Sequence, residues 1–465
     1  MVHEVVERAR SAQREWAAMP VRRRAAIMLR LSRIVYRRQD EILDVIQRET
    51  LKNRLSAFEE VADVAQLAHF YGRRGARMLR PRRRAGLLPI VTRTVEHRRP
   101  IGVVAVITPW NYPFTLPASD AIPALLAGNA VVLLPDLLTQ DTAELVVKLF
   151  REAGVPDGLV GLVRGGGRDH GDALVDAVDF VTFTGSTETG RRVATRAASR
   201  LIGFTGELGG KNPMLVLDDA DVAKAAFGAV RTCFANSGQL CVSVERIYVV
   251  ARHFDQFLRE FAEHTNAMSL GAGAAWEIDM GPLITEAHAA RVMAHIDDAV
   301  ARGATLVAGG HRRPDLAPTF VEPTILTAVP PEATLAREET FGPVVSVYRV
   351  ANDAEAFARA NDSEFGLNAS VWTKRPRRIT DQVAAGTVTI NEGYASSWAS
   401  HGAPLGGVKQ SGMGRRHGVE GLLAYTEAQS IATQRLFGIT PFPGQSNRGF
   451  ARLIGAVFAF LNRVS

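Results

Sequence analysis

The amino-acid sequence predicts an α/β protein made of two units, each a largely parallel sheet with helices on both faces. Residues 1–80 carry apolar side chains at the spacing of long amphipathic helices. Beyond residue 100, short apolar segments alternate with helical stretches, which is the pattern of a buried parallel sheet. The alternation starts again past residue 230, and this restart predicts the second unit.

Each predicted element depends on its own periodicity. Residues 24–36 repeat apolar side chains at helical intervals and are predicted as a helix. Residues 90–97 alternate apolar and polar side chains and are predicted as a strand. Buried strands are predicted at 103–107, 130–134, 178–184 and 213–217 in the first unit, and at 246–250, 344–349 and 387–391 in the second.

Composition excludes several other classes of protein. Hydrophobic residues make up 46% and charged residues 22%, a balance typical of soluble globular chains. The two cysteines, Cys233 and Cys241, exclude a disulfide framework, and no cysteine–histidine pattern predicts a metal site. The N-terminus has no apolar signal region, and the apolar run 453–461 is far shorter than the ~20 residues of a spanning helix. We therefore expect a cytoplasmic protein with no transmembrane segment and no metal.

The net charge of +7 raises the question of an anionic partner. Arginine clusters lie early in the chain, at 22–24, 73–74 and 82–84. They lack the interleaved aromatic residues of a groove for single-stranded nucleic acid and match no nucleic-acid-binding module. We interpret them as a solvated basic face and expect no nucleic-acid partner.

Two residues have the chemistry of a covalent catalyst. Cys241 follows a glycine-containing turn in the segment 236–243, where a thiol is either an inert core residue or a nucleophile with an acid or base nearby. Cys233 lies in an apolar helical stretch and is predicted to serve packing alone. Glu207 has glycines on both sides, which allow close approach of the backbone and unusual backbone dihedral angles.

Two further segments have the sequence of ligand-binding turns. Asn111 lies just after a predicted buried strand, at the edge of the sheet where open α/β folds bind ligands, and its side-chain N–H suits an oxyanion hole. Residues 183–190 run from a strand through a Gly/Ser turn into a helix, whose N-terminus suits a pyrophosphate. This turn is not the GxGxxG fingerprint.

Taken together, these motifs resemble those of the NAD(P)-dependent aldehyde dehydrogenase superfamily. The resemblance covers nearly the whole chain, and the 34 residues between Glu207 and Cys241 (241 − 207) also match the family. Some features resemble a subgroup of actinobacterial succinate-semialdehyde dehydrogenases. The motifs, in chain order, are TPWNYP (108–113), FTGSTETG (183–190), ELGGKNP (207–213), GQLC (238–241), EETFGPV (338–344) and PLGGVKQSGMG (404–414).

The resemblance implies a fold and a division of the chain. It implies a Rossmann-type cofactor domain at 1–82 and 100–209 and an α/β catalytic domain at 210–415. A small β oligomerisation element is expected at 83–99 and 426–435, and a C-terminal tail at 436–465. It also implies a homodimer or a homotetramer. The apolar tail is expected either to pack on a partner subunit or to contact a membrane surface peripherally.

The same resemblance assigns roles to named residues. Cys241 would attack the carbonyl carbon of an aldehyde, Asn111 would hold the oxyanion, and Glu207 would activate the water that hydrolyses the thioester. Residues expected to contact the cofactor, NAD or NADP, are Trp110, Leu134, Asp136, Gly185, Ser186, Leu208, Glu339 and Phe341. Those expected to line the substrate tunnel are Tyr112, Leu116, Leu240, Tyr394 and Trp398, which favours an apolar aliphatic or aromatic aldehyde.

The sequence also departs from the family pattern. Leu134 and Leu137 stand where a lysine and a glutamate usually hold the adenosine ribose, and the Asp136 carboxylate would repel a 2′-phosphate, which favours NAD. Asp120 replaces a lysine to which a proton-relay role is assigned. Ser119 and Ala235 stand where arginines hold the carboxylate of succinic semialdehyde.

Three alternatives follow from these departures. The first is a succinate-semialdehyde dehydrogenase that lacks the usual arginines. The second is a protein that keeps the fold, binds nucleotide weakly and acts in binding or assembly. The third is thioester chemistry that ends on coenzyme A, or simple ester hydrolysis. Glu207 argues against the coenzyme A version, because it supplies a water-activating base.

Overall fold

The computed structural model of the protein describes residues 1–88 and 91–464. Four amphipathic helices come first, as the spacing predicts: α1 (Val2–Ala18), α2 (Val21–Arg37), α3 (Gln39–Thr50) and α4 (Arg54–Met78). Two strands follow them, β1 (Arg82–Arg84) and β2 (Thr92–Pro100).

The next segment alternates strands and helices. It comprises β3 (Val103–Ile107), α5 (Thr115–Ala127), β4 (Ala130–Leu134), α6 (Gln140–Glu152), β5 (Val160–Leu162), α7 (Gly167–Ala177), β6 (Phe180–Thr184), α8 (Thr187–Ser199) and β7 (Gly203–Glu207). The predicted strands at 103–107 and 130–134 coincide with β3 and β4, and the one predicted at 178–184 is two residues shorter.

The alternation resumes in the second half of the chain. Its elements are β8 (Asn212–Val216), α9 (Val222–Phe234), β9 (Val244–Val250), α10 (Ala251–Asn266), α11 (Glu286–Ala301), β10 (Thr305–Ala308), β11 (Thr324–Thr327), α12 (Thr334–Arg337), β12 (Val344–Val350), α13 (Asp353–Asn361), β13 (Phe365–Gly366), β14 (Asn368–Trp372), β15 (Thr387–Ile390) and α14 (Ala395–Trp398). The last are β16 (Val408–Lys409), β17 (Gly412–Met413), α15 (Gly418–Leu423), β18 (Thr426–Gln434) and α16 (Asn447–Val464).

The first sheet has the strand order β17-β7-β6-β3-β4-β5 and is parallel except for β17. Every residue of β3, β4 and β6 is buried, which is why these strands are continuous apolar runs in the sequence. After β3 the chain moves outward to β4 and β5 and then returns to β6 on the opposite side of β3. The carboxyl ends of β3 and β6 therefore flank a topological switch point, where open α/β sheets bind ligands.

The second sheet has the order β10-β11-β12-β9-β8-β14-β15. Its pairs are parallel except for β10 with β11. The predicted boundary between residues 209 and 210 falls between β7 and β8. Strand β17, which lies within the predicted catalytic range 210–415, nevertheless pairs with β7 in the first sheet.

The chain separates into two compact units: residues 1–79 with 99–427, and residues 80–98 with the rest of the chain from 428. The first unit contains both large sheets. The second contains most of a three-stranded sheet of order β1-β2-β18, together with helix α16. The strand predicted at 90–97 begins on Ile90, which lies outside the described residues, as do Pro89 and Ser465; the described strand β2 extends to Pro100. Among the described residues, no helix has the length and apolar character needed to cross a bilayer.

Candidate active site

The segments that follow β3 and β6 lie at the topological switch point of the first sheet. Trp110 and Asn111 follow β3, and Gly185 and Ser186 follow β6. Ser186 is the N-cap of α8, and its hydroxyl accepts a hydrogen bond from the Thr189 N–H at 3.3 Å. The remaining N–H groups of the first turn point out of the helix end, which is the arrangement that binds pyrophosphate in this class of fold.

Asn111 is held in place by its backbone and its side chain. Its Nδ2 donates to the Gln239 carbonyl at 3.1 Å, and its own carbonyl accepts from Lys52 Nζ at 2.5 Å and from Asn236 Nδ2 at 3.3 Å. These bonds join the turn after β3 to the turn that precedes Cys241. Asn111 is therefore bonded to Gln239, which stands two positions before the candidate nucleophile Cys241 in the chain.

A buried ion pair between Lys52, which precedes α4, and Glu60 on α4 supports this junction. Lys52 Nζ donates to Glu60 Oε1 at 2.7 Å, and neither side chain is more than 1% exposed. The second oxygen of Glu60 accepts from the Phe114 and Thr115 N–H groups at 2.8 and 3.0 Å. A buried charge without a partner is costly in free energy. The pair therefore stabilises the observed conformation of the segment after β3, which bonds to Glu60.

Cys241 is presented by an unusual turn. Asn236 and Ser237 both have left-handed backbone conformations, with φ of 49° and 57°. Asn212 Nδ2 donates to the Cys241 carbonyl at 2.7 Å and so fixes the backbone of the cysteine. A Cβ at Gly210 would lie 2.7 Å from the same carbonyl oxygen, so this position requires glycine.

The electrostatic surroundings keep the Cys241 thiol protonated. Burial, followed by the carboxylates of Glu339 and Glu207, raises the pKa of the thiol to about 12, and the positive charge of Arg416 opposes the rise. A nucleophilic thiolate therefore needs a nearby base or a nearby cation.

Glu207 ends β7 at the carboxyl edge of the first sheet. It lies opposite Thr184 of β6 and Gly412 of β17. Burial raises the pKa of Glu207 to about 8, and the charge of Arg416 lowers it. Its Oε1 has no hydrogen-bond partner among the described residues, although the side chain is buried, so this oxygen is free to accept a proton.

Asp120, which replaces the expected lysine, is not free. Its carboxylate accepts hydrogen bonds from Arg416, from Thr182 and from Tyr425 in the protein interior. Arg416 also donates to the Thr184 hydroxyl at 2.6 Å. The largest positive charge acting on Glu207 thus comes from Arg416, with a smaller contribution from Arg415, and Asp120 binds Arg416.

The remaining predicted cofactor residues lie around the same edge. The Trp110 ring contacts the rings of His288 and Phe341 edge-on, with centroids 5.6 and 5.8 Å away. Glu339 accepts from the Gly210 N–H at 2.8 Å, and burial raises its pKa to about 7. Leu208 is buried beside α8, where a Cβ at Gly190 would lie 2.3 Å from its side chain.

A second buried ion pair positions Glu339 and Phe341. Lys211 donates to the carboxylate of Glu245, which also accepts from the Thr340 and Phe341 N–H groups. The loop 339–341 is therefore anchored on β9. Phe341 has a φ of 57°, which places this aromatic residue in the left-handed region.

The predicted ribose loop follows β4. Leu134 is the last residue of β4 and is 1% exposed, within the hydrophobic core. Asp136 accepts from the Leu138 N–H at 3.0 Å and so caps a short 3₁₀ turn. Leu137 is 62% exposed, so its side chain is more accessible than that of Leu134.

A cavity of about 250 Å³ opens next to Leu240, the neighbour of the candidate nucleophile in the chain, and the predicted tunnel residues Tyr112, Leu240, Tyr394 and Trp398 line it. Leu116 belongs to the same apolar cluster but does not line the cavity. Cys241 packs against this cluster. The other lining residues are Glu59, Ala62, Asp63, Gln66, Thr115, Arg231, Ala395, Ala399 and His401.

One group of side chains near the cavity has the composition of a metal site. Asp63, His401 and His417 are buried, and one ligand atom from each lies within 4.8 Å of the other two. His401 Nε2 is 2.9 Å from Asp63 Oδ1, an ordinary hydrogen-bond distance. The absence of a metal therefore stays a prediction.

A model of the aldehyde dehydrogenase family matches residues 1–431 of the chain. The chain belongs to this family. A protein of Mycolicibacterium smegmatis, provisionally named a succinate-semialdehyde dehydrogenase [NADP(+)], is 50% identical over 437 residues, which are 93% of this chain and 84% of the relative. A 4,4'-diapolycopene aldehyde oxidase from a Methylomonas species is 40% identical over 443 residues, 94% of this chain and 82% of the relative.

Comparison with solved structures indicates the same family. The structure of betaine aldehyde dehydrogenase from Staphylococcus aureus, in complex with NAD+, superimposes with a TM-score of 0.88 at 31% identity and covers 93% of this chain and 87% of that one. The predicted family and fold class are therefore confirmed, and the protein is an NAD(P)-dependent aldehyde dehydrogenase.

The candidate active site contains residues that the sequence did not reveal. Lys52 and Glu60 support Asn111, Arg416 acts on Glu207, and Glu59 lies on the cavity wall. Arg416 follows the PLGGVKQSGMG motif (404–414), with only Arg415 between them. This closeness to a family motif was the one signal in the sequence that could have revealed Arg416.

Proposed function

We propose that this aldehyde dehydrogenase oxidises an apolar aldehyde to the carboxylic acid, with Cys241 as the nucleophile. The observation that carries this assignment is the hydrogen bond that joins the turn of Asn111 to the turn that precedes Cys241. Asn111 bonds to the Cys241 turn, Glu207 acts on the Cys241 thiol electrostatically, and Cys241 packs against the cluster that lines the cavity.

The residues suit the family chemistry. The Cys241 thiol first gives its proton to Glu207, which passes it to solvent, and the sulfur then bonds to the carbonyl carbon of the aldehyde. The developing oxyanion accepts hydrogen bonds from Asn111 Nδ2 and the Cys241 N–H. Glu207 then takes a proton from water, the hydroxide bonds to the acyl carbon, and the carbon–sulfur bond breaks to release the acid and the cysteine thiolate.

The chain offers a fitting site for the nicotinamide cofactor. The N-terminus of α8 with Gly185 and Ser186 lies at the switch point, Leu208 packs against Gly190 of α8, and the Trp110 ring contacts that of Phe341. NAD(P)+ supplies the hydride acceptor that converts the Cys241 thiohemiacetal into a thioester. We favour NAD, because the Asp136 carboxylate would face a 2′-phosphate; the names of the relatives include an NADP(+) enzyme, and a related structure binds NAD+.

The lining of the cavity supports an aliphatic or aromatic substrate. Four large apolar or aromatic side chains line it, and the name of the Methylomonas relative includes an apolar aldehyde. Succinic semialdehyde is the second candidate. Arg231 on the cavity wall could bind its carboxylate, and the mycobacterial relative carries that name.

Turnover tests the proposal directly. NADH or NADPH formation is followed at 340 nm with butanal, decanal, benzaldehyde and succinic semialdehyde, each with NAD+ and NADP+ separately. We expect the apolar aldehydes to react, Cys241→Ala to abolish turnover, and the control Cys233→Ala to retain it, since Cys233 is 1% exposed in the core. Equal activity of the Cys241→Ala protein would remove the assigned nucleophile.

We further propose a homo-oligomer formed through the β element. Strand β18 is at the edge of its three-stranded sheet, and eight of its nine residues are exposed. A long exposed edge strand is a ready surface for pairing with another chain. Light scattering should report a dimer or a tetramer; a monomer would contradict the proposal.

The C-terminal tail is expected either to pack on a partner subunit or to contact a membrane, and variants on helix α16 distinguish the two. Phe460 on this helix is 65% exposed. If α16 packs on a partner subunit, Phe460→Asp should weaken the oligomer. If it contacts a bilayer, the same variant should lose binding to anionic vesicles, whereas Leu201→Asp, at an exposed apolar residue outside the tail, should not. The cytoplasmic location stays a prediction.

A further inference from the structure

The Glu59 carboxylate of helix α4 lies on the wall of the aldehyde cavity and is shared by three donors. The hydroxyls of Tyr112 and Tyr394 each donate to it at 3.2 Å. The guanidinium of Arg231, on α9, donates to the same carboxylate. The side chain of Glu59 is 20% exposed and that of Arg231 is 47% exposed, so the pair reaches from the cavity wall towards solvent.

Arg231 is the one lysine or arginine among the described residues that line this cavity, which also contains the acids Glu59 and Asp63. Asp63 bonds to His401 and to the Thr115 hydroxyl and does not neutralise Arg231. The cationic group available to an anionic substrate is therefore already bound to a carboxylate of the protein itself.

We propose that Glu59 is a specificity-determining residue, which masks Arg231 and thereby makes the site select uncharged aldehydes over aldehydes that carry a distal carboxylate. The inference depends on the proposed function, because it concerns which aldehyde the same site accepts.

The physical argument concerns the exchange of one carboxylate for another. A substrate carboxylate can bind Arg231 only by displacing Glu59 from it. Burial raises the pKa of Glu59, and Arg231 opposes that rise, so a displaced Glu59 must either take up a proton or remain a poorly paired charge beside the incoming anion. Both outcomes disfavour the anionic substrate, whereas an uncharged aldehyde leaves the pair intact.

The test compares two aldehydes of equal chain length. Butanal and succinic semialdehyde both have four carbons, and the measured quantity is the ratio of their kcat/KM values. In the wild type the ratio should favour butanal. Glu59→Gln keeps the shape and an acceptor oxygen for the tyrosines but releases Arg231, so the ratio should move towards succinic semialdehyde by about tenfold or more, the size of one charge-assisted contact.

A double variant separates unmasking from simple loss of repulsion. In Glu59→Gln/Arg231→Met, the gain for succinic semialdehyde should disappear, because the cation is gone. A gain that persists in the double variant would overturn the proposal, since removal of a negative charge alone would then explain it. Glu152→Gln is the matched control: Glu152 also pairs with arginines, Arg37 and Arg38, outside the site, and its loss should leave the ratio unchanged.

The outcomes also separate this inference from the proposed function. If the wild type oxidises apolar aldehydes but Glu59→Gln leaves the ratio unchanged, the masking role is wrong and the proposed function stands. If the wild type already prefers succinic semialdehyde, the masking role is wrong and the second candidate substrate replaces the first. If the folded wild type oxidises no aldehyde, the proposed function fails and the inference fails with it. Thermal unfolding confirms that each variant is folded, and Glu59→Ala provides the same comparison if the glutamine variant is not.

Discussion

The guanidinium of Arg416 donates to the carboxylate of Asp120 in the interior of the protein, although 296 residues separate the two in the chain. The side chains are 7% and 2% exposed. Both charges act on Glu207: Arg416 lowers its pKa, and Asp120 raises it. The aspartate that replaces the expected lysine is therefore one half of a pair whose other half supplies the positive charge.

Substitutions in this pair should move the pH dependence of thioester hydrolysis in opposite directions. Asp120→Asn removes a charge that raises the pKa of Glu207, so hydrolysis should begin at lower pH. Arg416→Gln removes a charge that lowers it, so hydrolysis should begin at higher pH. Each shift should be about one pH unit, which corresponds to ~1.4 kcal/mol of charge interaction. Single-turnover decay of the thioester, measured across pH, reports both midpoints.

The same substitutions also affect stability, which requires a control. Removal of one partner from a buried ion pair costs ~3–5 kcal/mol, so both variants should unfold at lower temperature. Arg416→Lys keeps the positive charge, so the pH midpoint of thioester hydrolysis should lie close to that of the wild type. Shifts of both variants in one direction would mean that the pair does not set the protonation of Glu207.

Glu207→Gln should stop hydrolysis and leave the acyl group on Cys241. The glutamine has no basic oxygen to accept the proton of water, so intact mass should show the thioester adduct after one turnover. Because the base must be ionised and its pKa is about 8, the wild-type rate of hydrolysis should rise with pH up to about pH 8 and then level off. Glu338→Gln, at the exposed first residue of the EETFGPV motif, is the control and should show no adduct. Normal hydrolysis in the Glu207→Gln protein would contradict the assignment.

The sequence predicted the fold and the parts of the site whose signals are local. Strands β3 and β4 were predicted to the residue because both faces are buried and the apolar run is continuous. The candidate nucleophile and base stand in glycine-rich turns, and those glycines are visible in the sequence.

Long-range charge pairs could not be predicted in the same way. Asp120 and Arg416 are 296 residues apart, and Glu59 and Arg231 are 172 apart. Neither pair has a periodicity or a motif that records its partner, because the pairing results from the packing of elements distant in the chain. The sequence therefore indicated that Asp120 departs from the family pattern but not which residue compensates for it.

Leu137→Glu should strengthen the binding of NAD+. The resemblance implies that a glutamate at this position holds the adenosine ribose, and Leu137 is 62% exposed, so a carboxylate there can be accommodated without entering the core. One hydrogen bond to a charged acceptor contributes ~1.5 kcal/mol, so the Kd measured by calorimetry should fall about tenfold. Leu138→Glu, at the 42% exposed neighbour, should leave the Kd unchanged. An unchanged Kd in both would place the ribose away from this loop.

Asp136→Asn should improve the use of NADP+ relative to NAD+. Asparagine is as good a cap as aspartate, so the bond to the Leu138 N–H and the turn after β4 should be preserved while the charge is lost. In water, two unit charges about 4 Å apart repel each other by ~1 kcal/mol, so relief of a repulsion of this size at the 2′-phosphate should lower the KM for NADP+ about fivefold while that for NAD+ changes less. Asp141→Asn removes a nearby exposed acid that pairs with Arg48 and serves as the control for general charge. Equal changes in the two KM values would show that Asp136 does not face the 2′ position, and the preference for NAD would then lose its physical basis.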